Sequence, residues 1–443
     1  MKYYLESLGC AKNLVDSERF AAQMQDRGII ATDDLPEADI ILVNTCAFLS
    51  ASLGELDDIL SQICFEKTKS QILIVTGCVM NRAFDEFREL FPEVRYWVPL
   101  KDFQGFASIL ADIEAGKKRR PRFTPQNPDA EHVQVPERVA LQNSAHVYLR
   151  IADGCENNCS YCTIPSIRGK MQSVPIEELV AEANRLTGRS EELVLIAQDS
   201  CLYGVDIYGE QALPRLIQAL HELEQYRWIR IMYMHPDHFL LEWTELWKTY
   251  PKLLPYFEIP VQHGSDEILH KMNRKKGYQE LVGLFKHIKA EIPEAVFRTT
   301  FMTGFPGEGE MEYQKILSLI TEIEFVYGGT FIYSYEPGTP AAKMKKKVDF
   351  QLAALRQHLI MQTFYGNRCR YFESMIGSVQ DVLIEALDDE SGNFIGHAWF
   401  MAPEIDGVVF VEADELYQGM IIPVLITDTV NDCLFGRPAL QKK

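Results

Sequence analysis

Residues 147–163 read VYLRIADGCENNCSYCT, and this stretch decides how the middle of the chain is built. Val147 to Ala152 is an apolar run of strand length. It stops at a loop in which Cys155, Cys159 and Cys162 are spaced C-x3-C-x2-C. The strand-then-loop unit recurs at Leu193–Ala197, Ile229–Met234, Tyr256–Val261, Val296–Met302 and Gly329–Tyr335, each followed by a helical stretch. Six such repeats predict an open (βα)6 partial barrel of the α/β class, a fold that gathers chemistry at the carboxyl ends of its strands. The unusual residues fall there: the thiol loop after the first run, then QDS, HPD, QHGS, TGFPGE and EPGT in order.

Upstream, apolar runs at Tyr3–Leu8, Ile40–Asn44, Ile72–Thr76 and Val94–Val98 alternate with helical patterns. One of these, Asp16–Arg27, puts Phe20, Ala21 and Met24 on one face and stops at Gly28. The alternation predicts a flavodoxin- or Rossmann-like parallel sheet. Lys117 to Ala145 is rich in proline, asparagine and charge and reads as a linker whose basic run is a solvated face. Downstream of a helical stretch from Phe350 to Tyr371, the runs SVQDVLIEA, FIGHAWF, GVVFVEA, MIIPVLITDTV and CLFGRPA suit a small five-stranded antiparallel barrel of the oligonucleotide-binding kind. The expected boundaries are 1–116 for the first domain, 117–145 for the linker, 146–368 for the partial barrel and 369–443 for the terminal barrel.

The 443 residues are too many for one small core, and 47% apolar with 24% charged residues is an ordinary globular balance. With no 18-residue apolar run and no basic-then-apolar leader, the expectation is a soluble, cytoplasmic protein with no membrane partner. A formal charge of −19 argues against holding nucleic acid mainly by neutralising phosphates. The acidity is uneven: Tyr371–Lys443 carries 13 acidic residues against three basic ones, a net of −10. A monomer is the default, since no extended heptads are evident.

Ten cysteines in a reducing compartment point to metal or redox chemistry rather than to disulfides. Three thiolates on one tight loop can hold three irons of a 4Fe-4S cube and leave the fourth without a protein ligand. A structural zinc site would want a fourth Cys or His nearby, and none stands at the usual spacing. Cys10, Cys46 and Cys78 are dispersed, but each follows a different strand run of the first domain, and in a parallel sheet those ends lie side by side. They either converge as a second thiol set or serve as small buried hydrophobes, and periodicity leaves both open. Cys64, Cys201, Cys369 and Cys433 read as packing residues. Around the partial barrel's mouth, Gln198, Asp199, Gln262, His263, Arg298 and the Gly304, Gly307, Glu308 turn are groups that can hold an ammonium, a carboxylate and a ribose.

The sequence resembles the radical S-adenosylmethionine methylthiotransferases over nearly its whole length. The matching pieces are SLGCAKNLVDSE, VNTCAF and VTGC in front, IADGCENNCSYCTIP with IRG, AQDS with LYG, QHGSDEIL with KMNR, and GFPGE in the middle, and a terminal barrel like the TRAM domain. The opening and the AQD loop look most like the branch that modifies a ribosomal protein. The resemblance implies two 4Fe-4S clusters, on Cys155, Cys159 and Cys162 and on Cys10, Cys46 and Cys78. It implies S-adenosylmethionine as both radical source and methyl donor, with Tyr161 beside its adenine and Gln198, Gln262, Arg298 and Gly304 to Glu308 as further contacts. The implied substrate is an aspartate of the basic small-subunit ribosomal protein twelve, free or in the assembling ribosome, converted to 3-methylthioaspartate. The implied reductant is a donor such as flavodoxin or ferredoxin.

The chain departs from the family pattern at Ala11, at Ser200 and Cys201, and at Lys170–Gln172. None of these is a proposed ligand, so they bear on substrate fit. The acidic tail would attract a lysine- and arginine-rich protein and repel a tRNA backbone. A methylthiotransferase acting on a modified adenosine beside a tRNA anticodon is the alternative, although direct tRNA binding is not expected. A non-catalytic iron-sulfur electron carrier would have no use for the cofactor cradle.

Overall fold

The computed structural model describes residues 1–117, 137–141, 144–186 and 190–439. Most of the expected linker, including its basic run beyond Lys117, lies outside them. The chain divides into two compact units. The first comprises Met1–Gln142, Asp153–Gln172 and Ser334–Thr339, and the second Asn143–Ala152, Ser173–Tyr333 and Pro340–Lys443.

The first unit is a doubly wound parallel sheet. Its strands are β1 (Lys2–Ser7), β2 (Ile30–Ala31), β3 (Ile40–Thr45), β4 (Ile72–Gly77) and β5 (Tyr96–Trp97), in the order β2-β1-β3-β4-β5. Period-two alternation splits the core. Ile40 and Leu42 face one cluster with Phe20, Phe106 and Leu110, whereas Ile41 and Val43 face the other with Leu56, Leu60 and Phe87. The first cluster is covered by α1 (Ala11–Gln25) and α4 (Phe103–Glu114), the second by α2 (Ser50–Glu66) and α3 (Phe84–Leu90). Helix α1 begins five residues earlier than the apolar pattern suggests, because Cys10 serves as its N-cap in extended backbone. The last strand shrinks to two residues at the sheet edge. The thiol loop and the short helix α5 (Ile164–Arg168) complete this unit.

In the second unit β6 (His146–Arg150), β7 (Glu192–Ile196) and β8 (Trp228–Ile231) form one parallel sheet. A second parallel sheet is formed by β9 (Tyr256–Glu258), β10 (Val296–Thr303) and β11 (Tyr327–Ile332). The two are stitched by Ile229 N–H to Lys252 O at 2.7 Å, Leu254 N–H to Ile229 O at 2.9 Å and Met234 N–H to Glu258 O at 3.0 Å. The result is an open six-stranded half barrel. A 26-residue helix, α6 (Phe350–Met375), is capped by the Asp349 carboxylate on the Gln351 and Leu352 N–H groups and leads to the terminal barrel. That barrel closes through β12 (Val379–Leu387), β13 (Phe394–Ala398), β14 (Val408–Val411), β15 (Ile421–Val430) and β16 (Cys433–Pro438). Its pairings are antiparallel apart from β14 with β16.

The terminal barrel sits on the amino-terminal halves of the half-barrel strands. Arg298, third in β10, and Tyr256, first in β9, both bond Asp406. Glu192, first in β7, bonds Arg230 and His397. This seat leaves the strands' carboxyl ends on the other side of the half barrel. Among the described residues no helix is long and apolar enough to cross a membrane.

Candidate cluster and cofactor site

Cys10, Cys46 and Cys78 stand at the carboxyl ends of β1, β3 and β4, which are neighbours in the sheet, with Ser7 opposite Asn44 and Thr45 opposite Gly77. The loops are tied by asparagine side chains. Asn13 donates to Leu8 O and Thr45 O, both at 2.8 Å, and Asn44 donates to Asn13 O and Ser17 Oγ, both at 2.8 Å. Gly9 has φ +93°, and a Cβ there would lie 2.6 Å from Cys46 Cβ and 2.9 Å from its Sγ. Only glycine lets the SLGC loop approach Cys46 so closely.

The electrostatics show the convergence. Burial pushes the Cys78 thiol up to about 11, with Arg168 opposing and Cys46 and Cys10 adding to it. At Cys10, which keeps an exposed face, the surrounding protein would raise the thiol. Lys12, Arg168 and the Asn13 and Lys12 N–H groups outweigh that and hold it below its ordinary value. A cluster of thiols with two nearby cations suits a negatively charged thiolate-ligated group.

The other trio lies on a tight loop in the same unit. Cys162 N–H bonds Cys159 O at 3.0 Å, and Cys155 N–H bonds Gly169 O at 3.1 Å. Gly154, at φ +78°, leaves no room for a Cβ, which would lie 2.0 Å from Lys170 O. The three cysteines form no disulfide and are partly exposed, and Tyr161 between them is partly exposed as well. Three thiols per set fit clusters with three protein-held irons.

In the second unit Gln198 follows β7 and is half-buried, and Gln262 follows β9 in left-handed backbone, φ +71°. The Gln262 main chain is pinned to β10 through Thr300 O and Met302 N–H, both at 2.8 Å. Gly304 and Gly307 have φ +75° and +95°. Glu308 does not project outward. Its carboxylate is fully buried and accepts from Arg356 at 2.7 Å and Gly304 N–H at 2.9 Å, with His263 Nε2 at 3.3 Å. It shapes the turn from within. Arg298 is seated against Asp406 of the terminal barrel, and the structure does not bring it to the loops.

Three residues that the sequence reading gave no joint role meet at this mouth. His238 Nδ1 lies 2.7 Å from Asp199 Oδ2, and the His235 and His238 rings stack at 4.8 Å. Their ligand atoms lie within 4.8 Å of one another, the span of a metal site. His235, however, is held far below its ordinary pKa by burial together with Arg274, His238, Lys276 and Lys275. A cation is poorly placed among those charges, so the set is a hydrogen-bonded support. Arg168, also without an assigned role, is the other unforeseen residue. Burial opposes its charge, but Asp153, Cys78 and Asp16 outweigh that.

Thiol loops on one parallel sheet fold, together with an open half barrel and a small closed barrel, define a radical S-adenosylmethionine enzyme of the methylthiotransferase class. Residues 149–320 match the radical SAM superfamily, residues 2–99 "Uncharacterized protein family UPF0004", and residues 376–438 the TRAM domain. The ribosomal protein uS12 methylthiotransferase RimO of Lachnoclostridium phytofermentans is 38% identical over 442 residues, 98% of this chain and 99% of that protein. RimO of Carboxydothermus hydrogenoformans is 34% identical over 431 residues, 97% of each. The chain belongs to this RimO family of methylthiotransferases. Among solved structures, the radical S-adenosylmethionine methyltransferase TsrM from Kitasatospora setae, with cobalamin and a 4Fe-4S cluster bound, is similar in fold. Its TM-score is 0.55 at 14% identity, over 77% of this chain and 76% of that one.

Proposed function

We propose that this chain adds a methylthio group to the β carbon of an aspartate in small-subunit ribosomal protein twelve. The observation that carries the reading is the convergence of Cys10, Cys46 and Cys78 in the unit that also bears the Cys155–Cys162 loop. The names of the relatives supply the substrate. Cys155, Cys159 and Cys162 would hold one 4Fe-4S cluster and Cys10, Cys46 and Cys78 the other. When bound, the clusters and S-adenosylmethionine supply the radical that opens an unactivated C–H bond and the methylated sulfur that takes the hydrogen's place.

The chain's own share is positioning. Each trio would hold three irons of its cluster and would leave the fourth without a protein ligand. Tyr161 would pack beside the adenine, while Gln198, Gln262 and the Gly304–Glu308 turn would hold the nucleoside and amino acid ends. Arg356 and His263 keep that turn in shape through Glu308. The 1–116 domain would serve the second cluster, the 146–368 domain the radical step and the 369–443 barrel the substrate. A cytoplasmic setting and a flavodoxin- or ferredoxin-type reductant complete the reading.

The test is to incubate reconstituted enzyme, reductant and S-adenosylmethionine with the ribosomal protein and, separately, with tRNA. A mass gain of one methylthio group on the protein aspartate is expected, and a gain confined to tRNA would refute the substrate. Cys10→Ala and Cys155→Ala should each halve the bound iron.

A further inference from the structure

The guanidinium of Arg168 is 2% exposed and reaches from the segment that carries one thiol trio into the other. Its Nη2 lies 3.7 Å from Cys78 Sγ and also bonds Asn13 Oδ1. Its Nη1 bonds Asp153 at 3.0 and 3.1 Å and Asp16 at 3.4 Å. Lys101 shares the Asp153 carboxylate at 2.8 Å. Asn13 Oδ1 additionally accepts from the Cys78 thiol at 3.8 Å, and its amide is fixed by Leu8 O and Thr45 O. Backbone next to Arg168 serves the first trio, because Gly169 O accepts the Cys155 N–H.

We propose that Arg168 is a positioning residue that donates a hydrogen bond to the Cys78 sulfur of the amino-terminal 4Fe-4S cluster and raises that cluster's reduction potential. The inference rests on Cys10, Cys46 and Cys78 holding a cluster. Ligation strips the proton from Cys78, so its sulfur can then only accept. Arg168 Nη2 is the donor beside it. A hydrogen bond and a buried positive charge at a ligand sulfur favour the reduced cluster, which carries one more negative charge. The two carboxylates on Nη1 fix the fork so that Nη2 points at the sulfur rather than swinging to solvent. The same residue ties the position of one cluster to the loop of the other.

The test uses the full chain with Cys155, Cys159 and Cys162 changed to alanine, so that the amino-terminal cluster is read alone. Iron and visible absorbance are measured first. A parent that binds no iron refutes the ligand assignment rather than the role of Arg168. In a parent with four irons, Arg168→Gln and Arg168→Lys are compared by anaerobic redox titration. Arg168→Gln should keep its iron and lower the reduced-to-oxidised ratio at a fixed potential at least tenfold, a shift of about −59 mV. Arg168→Lys, which keeps the charge without the fork, should fall between. An unchanged potential in iron-loaded variants overturns the proposal. If Arg168→Gln does not fold, the lysine variant decides on the same criterion. Loss of the cluster from the lysine variant as well would assign Arg168 to assembly and overturn the tuning role.

Discussion

His397→Gln should remove the pH dependence of the seat between the half barrel and the terminal barrel. His397 is fully buried, with Nε2 on Glu192 and Nδ1 2.6 Å from Glu385. Arg230 bonds the other Glu192 oxygen at 2.7 Å, and His146 and Glu404 lie at the margin. Burial alone would lower the His397 pKa, but Glu192 and Glu385 outweigh it and raise it from 6.5 to about 9. Its stabilisation is therefore complete below pH 6.5 and is lost as pH climbs through 9. The gap, at about 1.4 kcal/mol per pH unit, amounts to about 3 kcal/mol. Glu192 is held down to about 2, against its burial, by Arg230 and His397, and His146 is pushed down to about 4 by burial, so neither titrates in this window. At roughly 2–3 °C per kcal/mol, the wild-type chain should lose roughly 6–9 °C more in Tm between pH 6.5 and 9.5 than His397→Gln loses. Calorimetry of both proteins at the two pH values reads this directly, since thiols and tyrosines elsewhere titrate alike in both. Equal Tm losses would refute the coupling.

Gly9→Ala should cut bound iron by about half, because the new methyl lands on Cys46; Gly28→Ala, with φ +72° and nothing within 4 Å, should keep its iron and lose only about 1 kcal/mol. Glu308→Gln breaks a buried pair with Arg356 that is worth about 3–5 kcal/mol to remove. It should weaken S-adenosylmethionine binding at least tenfold in equilibrium dialysis while iron content stays constant. Neutralising Asp388, Asp389, Glu390, Glu412, Asp414 and Glu415 together should slow association with the ribosomal protein and flatten its salt dependence, as read by stopped-flow fluorescence. An unchanged salt slope would remove the acidic tail from recognition.

The parallel sheet and the half barrel were legible because each depends on local pattern, whereas for the dispersed cysteines that pattern left two readings open. Ile40–Val43 is apolar on both faces, which is how a central parallel strand reads, and every cysteine of the dispersed set sits within three residues of a strand end. What escaped were partnerships between side chains far apart in sequence. Arg168 finds Asn13 and Cys78 at separations of 155 and 90 residues, and Arg298 finds Asp406 at 108. No periodicity carries such information. Glu308 shows the same limit: a carboxylate in a glycine turn gives the same letters whether it points at a ligand or, as here, back at the turn.

The tail's charge shows the same division between what a count conveys and what folding decides. Of its 13 acidic residues, Asp381, Glu385, Asp406 and Asp432 are taken up by Arg227, His397, Arg298 and Arg368. The β13–β14 connection, which carries Trp399 and Asp406, meets the half barrel. Pairing of Leu387 with Phe394, and of Phe394 with Val411, puts the 388–393 turn and the 412–415 segment together at the other end of those strands. Asp389, Glu390, Glu412, Asp414 and Glu415 are exposed there. The terminal barrel thus spends part of its acid on anchoring pairs and gathers Asp388, Asp389, Glu390, Glu412, Asp414 and Glu415 at the end away from the half barrel. A charge that only aided solubility would have no reason to be sorted in this way, whereas a basic substrate would meet the sorted end first.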